Sequence, residues 1–289
     1  MADSEENVLS KKGQVFLIVI WLLLLLTVFT IGLGHRVAGS LKQRQYHSAR
    51  IRAYCLAETT LNAVIAGIEN KTALPKNLPG LVVTDEESKI NVNVANLELL
   101  VSLCENNKIS DPEAVAKNIL MWRGELADSE KTYETSLGYR PKGAGLSSVA
   151  ELMMVRGIDE KSFNRIKDQV TVFGSGSINL NTVSLDTLKI VAQGLAKKLS
   201  IDPGFADNVA MQIIEKRNSR GGKFNDKSEI NITFLQAEEN SVYNLLVDNS
   251  LLEPDNFLIE VTASVGKIRY RLSGVYAHSQ KKIIYRHES

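Results

Sequence analysis

The chain opens with a short polar head and then runs from Gln14 to Gly34 without a charged residue. At ~1.5 Å rise per residue, a helix of that length reaches across a ~30 Å hydrocarbon core. A cleavable export signal would have an apolar stretch of only ~7–15 residues. This run is longer, and His35-Arg36 follows it directly. Further along, Ile51, Tyr54, Leu61, Val64 or Ile65, and Ile68 recur at three- and four-residue steps, which predicts a helix with one apolar face. No proline interrupts the chain before Pro75. The pattern therefore predicts one spine helix from about Gln14 to about Asn70, half in lipid and half packed on a domain. Gly32, Gly34 and Gly39 are where it would break into two, because each glycine costs a helix ~1 kcal/mol.

At the other end the period changes from about four to two. Phe257 to Ala263, Lys267 to Tyr276 and Lys282 to Arg286 alternate apolar and polar residues and favour β-branched and aromatic types, the mark of half-buried strands. They predict an antiparallel meander, with turns at Val265-Gly266 and at His278 to Lys281.

Between these ends lies an internal repeat. VVTDEESKINVNVANLELL, from Val82 to Leu100, aligns without a gap on VTVFGSGSINLNTVSLDTL, from Val170 to Leu188. Ile90 falls on Ile178, Asn91 on Asn179, Asn93 on Asn181 and Leu97 on Leu185. Each unit is expected to form a short hairpin running into a helix. Asp111-Pro112 and Asp202-Pro203 then set an N-cap aspartate before a proline at the first helical position. The helices that follow carry Trp122-Arg123 in one unit and Lys216-Arg217 in the other. Ser148…Glu151 and Asp226…Glu229 have capping-box spacing or its Asp analogue.

Composition narrows the function classes. A chain of 289 residues, 44% hydrophobic and 23% charged, leaves a sizeable globular body outside the apolar run. The net charge of +1 supplies no overall basic field for a polyanion, and His35, His47, His278 and His287 are scattered. Cys55 and Cys104 could form one disulfide, which a chain of this length does not need; buried small apolar side chains are the simpler role. No nucleophile motif, phosphate loop or zinc-spaced Cys/His set is present in the sequence, so an enzyme is not expected. Orientation is contested. Lys11 and Lys12 precede the run, whereas Arg36, Lys42, Arg44, Arg50 and Arg52 follow it, which by the positive-inside rule alone puts the body in the cytoplasm.

The junction Lys11-Lys12-Gly13-Gln14, leading into an uninterrupted apolar helix, resembles the leader of type IV prepilins and type II secretion pseudopilins. That resemblance implies cleavage by a membrane-embedded prepilin peptidase between Gly13 and Gln14, N-methylation of Gln14, and a periplasmic body on a single inner-membrane span whose N-terminus is cytoplasmic before cleavage. Most such subunits carry Glu at the fifth mature position, where this chain has Ile18, and Phe or Met at the first, where it has Gln14. In the family that Glu meets a neighbour's terminal amine inside the filament. A subunit without it resembles the minor pseudopilin of the K type, which sits at the pseudopilus tip with no subunit above it. K-type subunits also have a helical domain inserted in the sheet, with Ile-Asn-x-Asn and Trp-Arg signposts like those here.

The expected fold is thus α+β, a long N-terminal helix on a small antiparallel sheet with a large inserted helical domain containing a two-fold repeat. The expected divisions are leader 1–13, membrane helix 14–34, amphipathic continuation 35–72, first part of the sheet 73–94, helical insert 95–250 with units starting near 82 and 170, and strands 251–289. The resemblance implies the I- and J-type minor pseudopilins, the prepilin peptidase and the inner-membrane assembly platform as partners, and no nucleic acid. It also implies calcium as a candidate ion, because K-type relatives bind it in the loop after the Trp-Arg helix. Here that loop holds Glu125, Asp128, Glu130 and Glu134, oxygen ligands suited to a hard cation, with Gly124 where relatives often have Asp. A rival reading is a membrane-anchored DNA-uptake receptor, since Val155 to Val170 resembles a helix-hairpin-helix module. Asp159 replaces its second hairpin glycine and would repel phosphate, and no basic patch surrounds it. Gly157 and Asp159 fit a helix C-cap and the next N-cap more simply.

Overall fold

The computed structural model describes residues 3–72, 78–127, 133, 137–233 and 235–289, with side chains from residue 15 onward. The first element is a single helix, α1 (Asp3–Glu69), 67 residues long. It passes through Gly32, Gly34 and Gly39 without a break, and at none of the three would an added Cβ meet another atom. Tertiary packing begins only near Ala53. From there Ala53, Ala57, Leu61 and Val64 press on Ile259, Val261, Ala263, Tyr270, Leu272 and Tyr276 of a sheet.

That sheet has four antiparallel strands, β1 (Leu81–Asp85), β6 (Asn256–Val265), β7 (Ile268–Ala277) and β8 (Lys282–Glu288), in the order β1-β6-β7-β8. The β6–β7 hairpin pairs Asn256 with Ala277 and Val265 with Ile268, closing at Gly266 (φ 60°). The period of the spine was legible, but its phase near the start was not. Ile51 and Tyr54, expected on the buried face, are 62% and 37% exposed. Ala53 and Ala57 point inward instead, and their small side chains let the sheet approach the helix closely. Two polar ties fix the contact: Arg286 Nη2 donates to Glu58 at 2.7 Å, and the Tyr276 hydroxyl donates to Glu69 at 2.6 Å. The carboxylate of Glu58 raises the Arg286 pKa further above its ordinary value.

Between β1 and β6 the chain builds two helical units, each with its own core. The first contains α2 (Leu97–Asn106), α3 (Pro112–Arg123), a 3₁₀ segment (Val149–Met154) and α4 (Glu160–Ile166), around Leu100, Leu103, Ile119, Trp122 and Leu152. The second contains α5 (Leu185–Lys198), α6 (Gly204–Ser219), a 3₁₀ turn (Lys227–Ile230) and α7 (Ala237–Asp248), around Leu188, Ile213, Phe224 and Leu246. The units meet where α2 packs on α5. There an added Cβ on Gly194 would come within 2.8 Å of the Leu99 Cα, so glycine permits the approach.

The expected hairpins are absent. Val82 to Asp85 belong to the main sheet. β2 (Ile90–Asn91) pairs in parallel with β3 (Val170–Thr171), and β4 (Ile178–Asn179) pairs in parallel with β5 (Ser250–Leu251). Each Ile-Asn segment thus clips onto the strand that closes its own unit, a long-range pairing that alternation within the segment cannot distinguish from a hairpin. The caps also differ in detail. Asp111 caps α3 through the Ala114 N–H, whereas α6 starts after Pro203 and Asp202 accepts from the Gly204 N–H. Ser148 makes no capping bond; instead Glu151 accepts from the Ser147 N–H, and Glu229 does the same from Asn225. Cys55 is exposed, Cys104 is buried, and both are free. Burial raises the Cys104 thiol to about 12, which keeps it protonated and inert.

Candidate membrane and assembly surface

The N-terminal part of α1 offers its apolar side chains to the surroundings on every side. Ile18 is 63% exposed and Trp21 70%. None of the apolar window is buried in the protein, so it requires an apolar environment from outside. Gly13 and Gln14 lie in this helix, just before the first described side chain. Residues 35–48 then form a neck that is helical yet exposed throughout.

The helical region is organised by the residues that mark the two aligned segments. The Asn93 side chain donates to the carbonyls of Leu146 (2.9 Å) and Val172 (3.1 Å) and accepts from the Leu146 N–H (2.7 Å). Asn181 makes the corresponding set with Phe224 and Leu252. Asn91 and Asn179 each turn the chain by accepting the N–H two residues on. Arg123 Nη1 donates to the Val92 and Ala95 carbonyls at 2.7 and 2.8 Å, and Arg217 Nη1 donates to those of Leu180 and Val183 at 2.9 Å each. Val92 aligns with Leu180 and Ala95 with Val183, so the same bonds recur at aligned positions. The Arg of the Trp-Arg signpost is therefore a buried clamp on a backbone turn.

Sequence reasoning missed the three consecutive acids that join sheet to head. Asp85 accepts from Asn179 and Thr182 of the second unit. Glu86 accepts from Thr171 of the first unit and from Lys89. Glu87 accepts from the Asn256 backbone and side chain and from the Asp255 N–H, at the start of β6. Glu86 and Glu87 are each 3% exposed. Burial raises the Glu87 pKa, against the hydrogen bonds from Asn256 that lower it. The available signal was an acidic triplet immediately after a strand pattern, a position where a solvated turn is the usual expectation.

In the expected calcium loop, Glu125 is ion-paired with Arg123. Asp128, Glu130 and Glu134 lie outside the described residues. Among the described residues no group of three His, Cys, Asp or Glu could hold a metal ion. At the hairpin-like segment, Asp159 caps α4 by accepting from the Ser162 N–H at 2.8 Å. The hydrogen bonds from Ser162 lower the pKa of its carboxyl, so it stands ionised. Gly157 (φ 90°) fits against Val115, where a Cβ would come within 2.7 Å of the Cγ2. The segment is spent on a cap and a close packing contact.

No family model and no curated protein sequence matches the chain. Among solved structures, it resembles a chain of the GspK–GspI–GspJ complex from the type 2 secretion system of enterotoxigenic Escherichia coli. The TM-score is 0.64 at 13% sequence identity, covering 86% of this chain and 99% of that one. A likeness at that identity speaks for architecture: this is an α+β, pilin-like fold of the pseudopilin kind, with one long apolar N-terminal helix on a four-stranded antiparallel sheet and a helical region inserted between its first two strands.

Proposed function

We propose that the chain is a minor pseudopilin of the K type, acting at the tip of a type II secretion pseudopilus. The observation that carries this reading is the combination of an apolar helical stretch exposed on every side with a large head inserted between β1 and β6, at the end of the sheet that Tyr276 ties to Glu69 at the helix's C-terminal end. A pilin-like subunit with such a head fits only where no other subunit stacks above it. The prepilin peptidase would remove residues 1–13, Gln14 would be N-methylated, and Ile18 would occupy the place of the carboxylate that a shaft subunit needs. The body would face the periplasm. I- and J-type minor pseudopilins would pack along the spine, as a complex with the inner-membrane assembly platform forms and primes the filament. The role is assembly rather than catalysis. The recurring Asn and Arg clamps support an origin of the head by duplication of one helical unit.

The test is capture of the protein from crosslinked membranes of its own host, followed by mass spectrometry of its N-terminus and its crosslinked neighbours. We expect an N-terminus at methylated Gln14, an uncut N-terminus in Gly13→Ala, and crosslinks to I- and J-type subunits. An intact Met1 in cells that process other pseudopilins would overturn the reading.

A further inference from the structure

The neck of α1 has an uneven charge that the assembly role leaves unexplained. No Asp or Glu occurs between Lys12 and Glu58, while Arg36, Lys42, Arg44, Arg50 and Arg52 all fall in that interval. These five cations exceed the whole chain's net charge of +1, so the rest of the chain is net acidic. Among the described residues, none of the five makes an ion pair or a side-chain hydrogen bond, and all are exposed. Residues 35–48 have nothing of the protein packed on them, so their basic side chains are open to whatever surrounds the helix.

Geometry separates the five. At ~1.5 Å per residue, Arg36 stands ~3 Å, Lys42 ~12 Å and Arg44 ~15 Å beyond Gly34, whereas Arg50 and Arg52 stand ~24 and ~27 Å beyond it. The polar layer on each side of a bilayer core is only ~5–7 Å thick. Helical side chains lean toward the helix N-terminus, which here is the membrane side, and Lys and Arg stems extend to place their charge at the interface. With a Debye length of ~8 Å, Arg36, Lys42 and Arg44 are within reach of surface charge and the upper pair is not. At 3.6 residues per turn the lower three point in widely separated directions around the axis. A partner helix would be met by charges on one face; a surrounding sheet of headgroups is met by a ring.

We propose that Arg36, Lys42 and Arg44 form a collar that binds the anionic headgroups of acidic phospholipids and sets how deeply the spine is immersed. This rests on the membrane reading of residues 14–34 but not on the tip assignment or on which side the body lies. The collar also gives the Lys/Arg excess after the apolar run a role in holding the membrane surface, whichever side the body occupies.

The full-length protein, in detergent micelles loaded with equal phosphatidylglycerol and phosphatidylcholine, is isolated and its retained lipid quantified. We expect about fivefold or greater enrichment of phosphatidylglycerol, given ~1 kcal/mol per cation near a surface. Arg36→Gln/Lys42→Gln/Arg44→Gln should bring it near parity, Arg36→Lys/Arg44→Lys should keep it, and Arg50→Gln/Arg52→Gln should leave it unchanged. Parity in the native protein, retention in the triple glutamine variant, or equal loss in the upper pair would overturn the collar. So would loss of enrichment in inorganic phosphate but not in chloride of the same ionic strength, which would reveal a free-anion site instead. Failure of N-terminal processing would sink the pseudopilin assignment and leave the lipid result untouched.

Discussion

Replacing Asn93 with Ala tests whether the Ile-Asn-x-Asn signpost is a structural clamp. The side chain makes three hydrogen bonds, two donated to the carbonyls of Leu146 and Val172 and one accepted from the Leu146 N–H. Each is worth ~1 kcal/mol net, and more where its partner is left buried and unpaired, so the truncation should cost about 3 kcal/mol of the first unit's stability. The chain has a convenient reporter. Trp122 is 4% exposed in the core of that unit, while the other tryptophan, Trp21, is 70% exposed on the apolar part of the spine. Urea unfolding of the full chain in detergent, followed by Trp emission, should shift its midpoint without changing slope. Asn93→Asp is the discriminating control. It keeps the acceptor for Leu146 but replaces both donations with a carboxylate facing carbonyl oxygens, so it should be no better than alanine. A loss under about 1 kcal/mol for Ala, or native stability for Asp, would refute the clamp.

Three further outcomes are expected. Leu61 is fully buried between spine and sheet, so Leu61→Ala should cost about 3 kcal/mol, read by thermal unfolding; a loss below ~1 kcal/mol would mean that the spine is not held by that contact. If the chain occupies the proposed pseudopilus tip, Ile18→Glu places a carboxylate in lipid with no partner available, at ~2.5 kcal/mol or more, and should bring no gain in a secretion assay of a strain lacking the native protein. Incorporation of that variant along the shaft would remove the tip position. Glu87 has its pKa raised above the ordinary 4.5, so the folded chain holds this proton more readily than the unfolded one. Its contribution to stability is most favourable below 4.5 and declines as pH rises through the folded pKa. Stability over that range should therefore fall more for the native chain than for Glu87→Gln, and equal slopes would contradict burial as the cause.

The sequence by itself determined the elements whose signal is local. An uninterrupted apolar run, a sustained helical period and three alternating segments specify a spine and a meander, because helix and hairpin periodicities are written in neighbouring residues. The aligned Asn and Arg positions were equally visible as a pattern, although their work was not. Only the tertiary structure decided what depends on distant partners. It turned Ile51 and Tyr54 outward and Ala53 and Ala57 inward, because the face that meets the sheet is set by where the sheet lies, and the small alanines there allow its close approach. It replaced two expected hairpins by parallel clips, since Ile90 finds Val170 and Ile178 finds Ser250 across whole units. It also buried Glu86 and Glu87 beside exposed-looking turn residues, where the Thr171 hydroxyl and the Asn256 amide make them a joint between head and sheet. Two-residue strands and buried carboxylates are stable only once their long-range partners are in place, and no window of sequence contains both sides of such a contact.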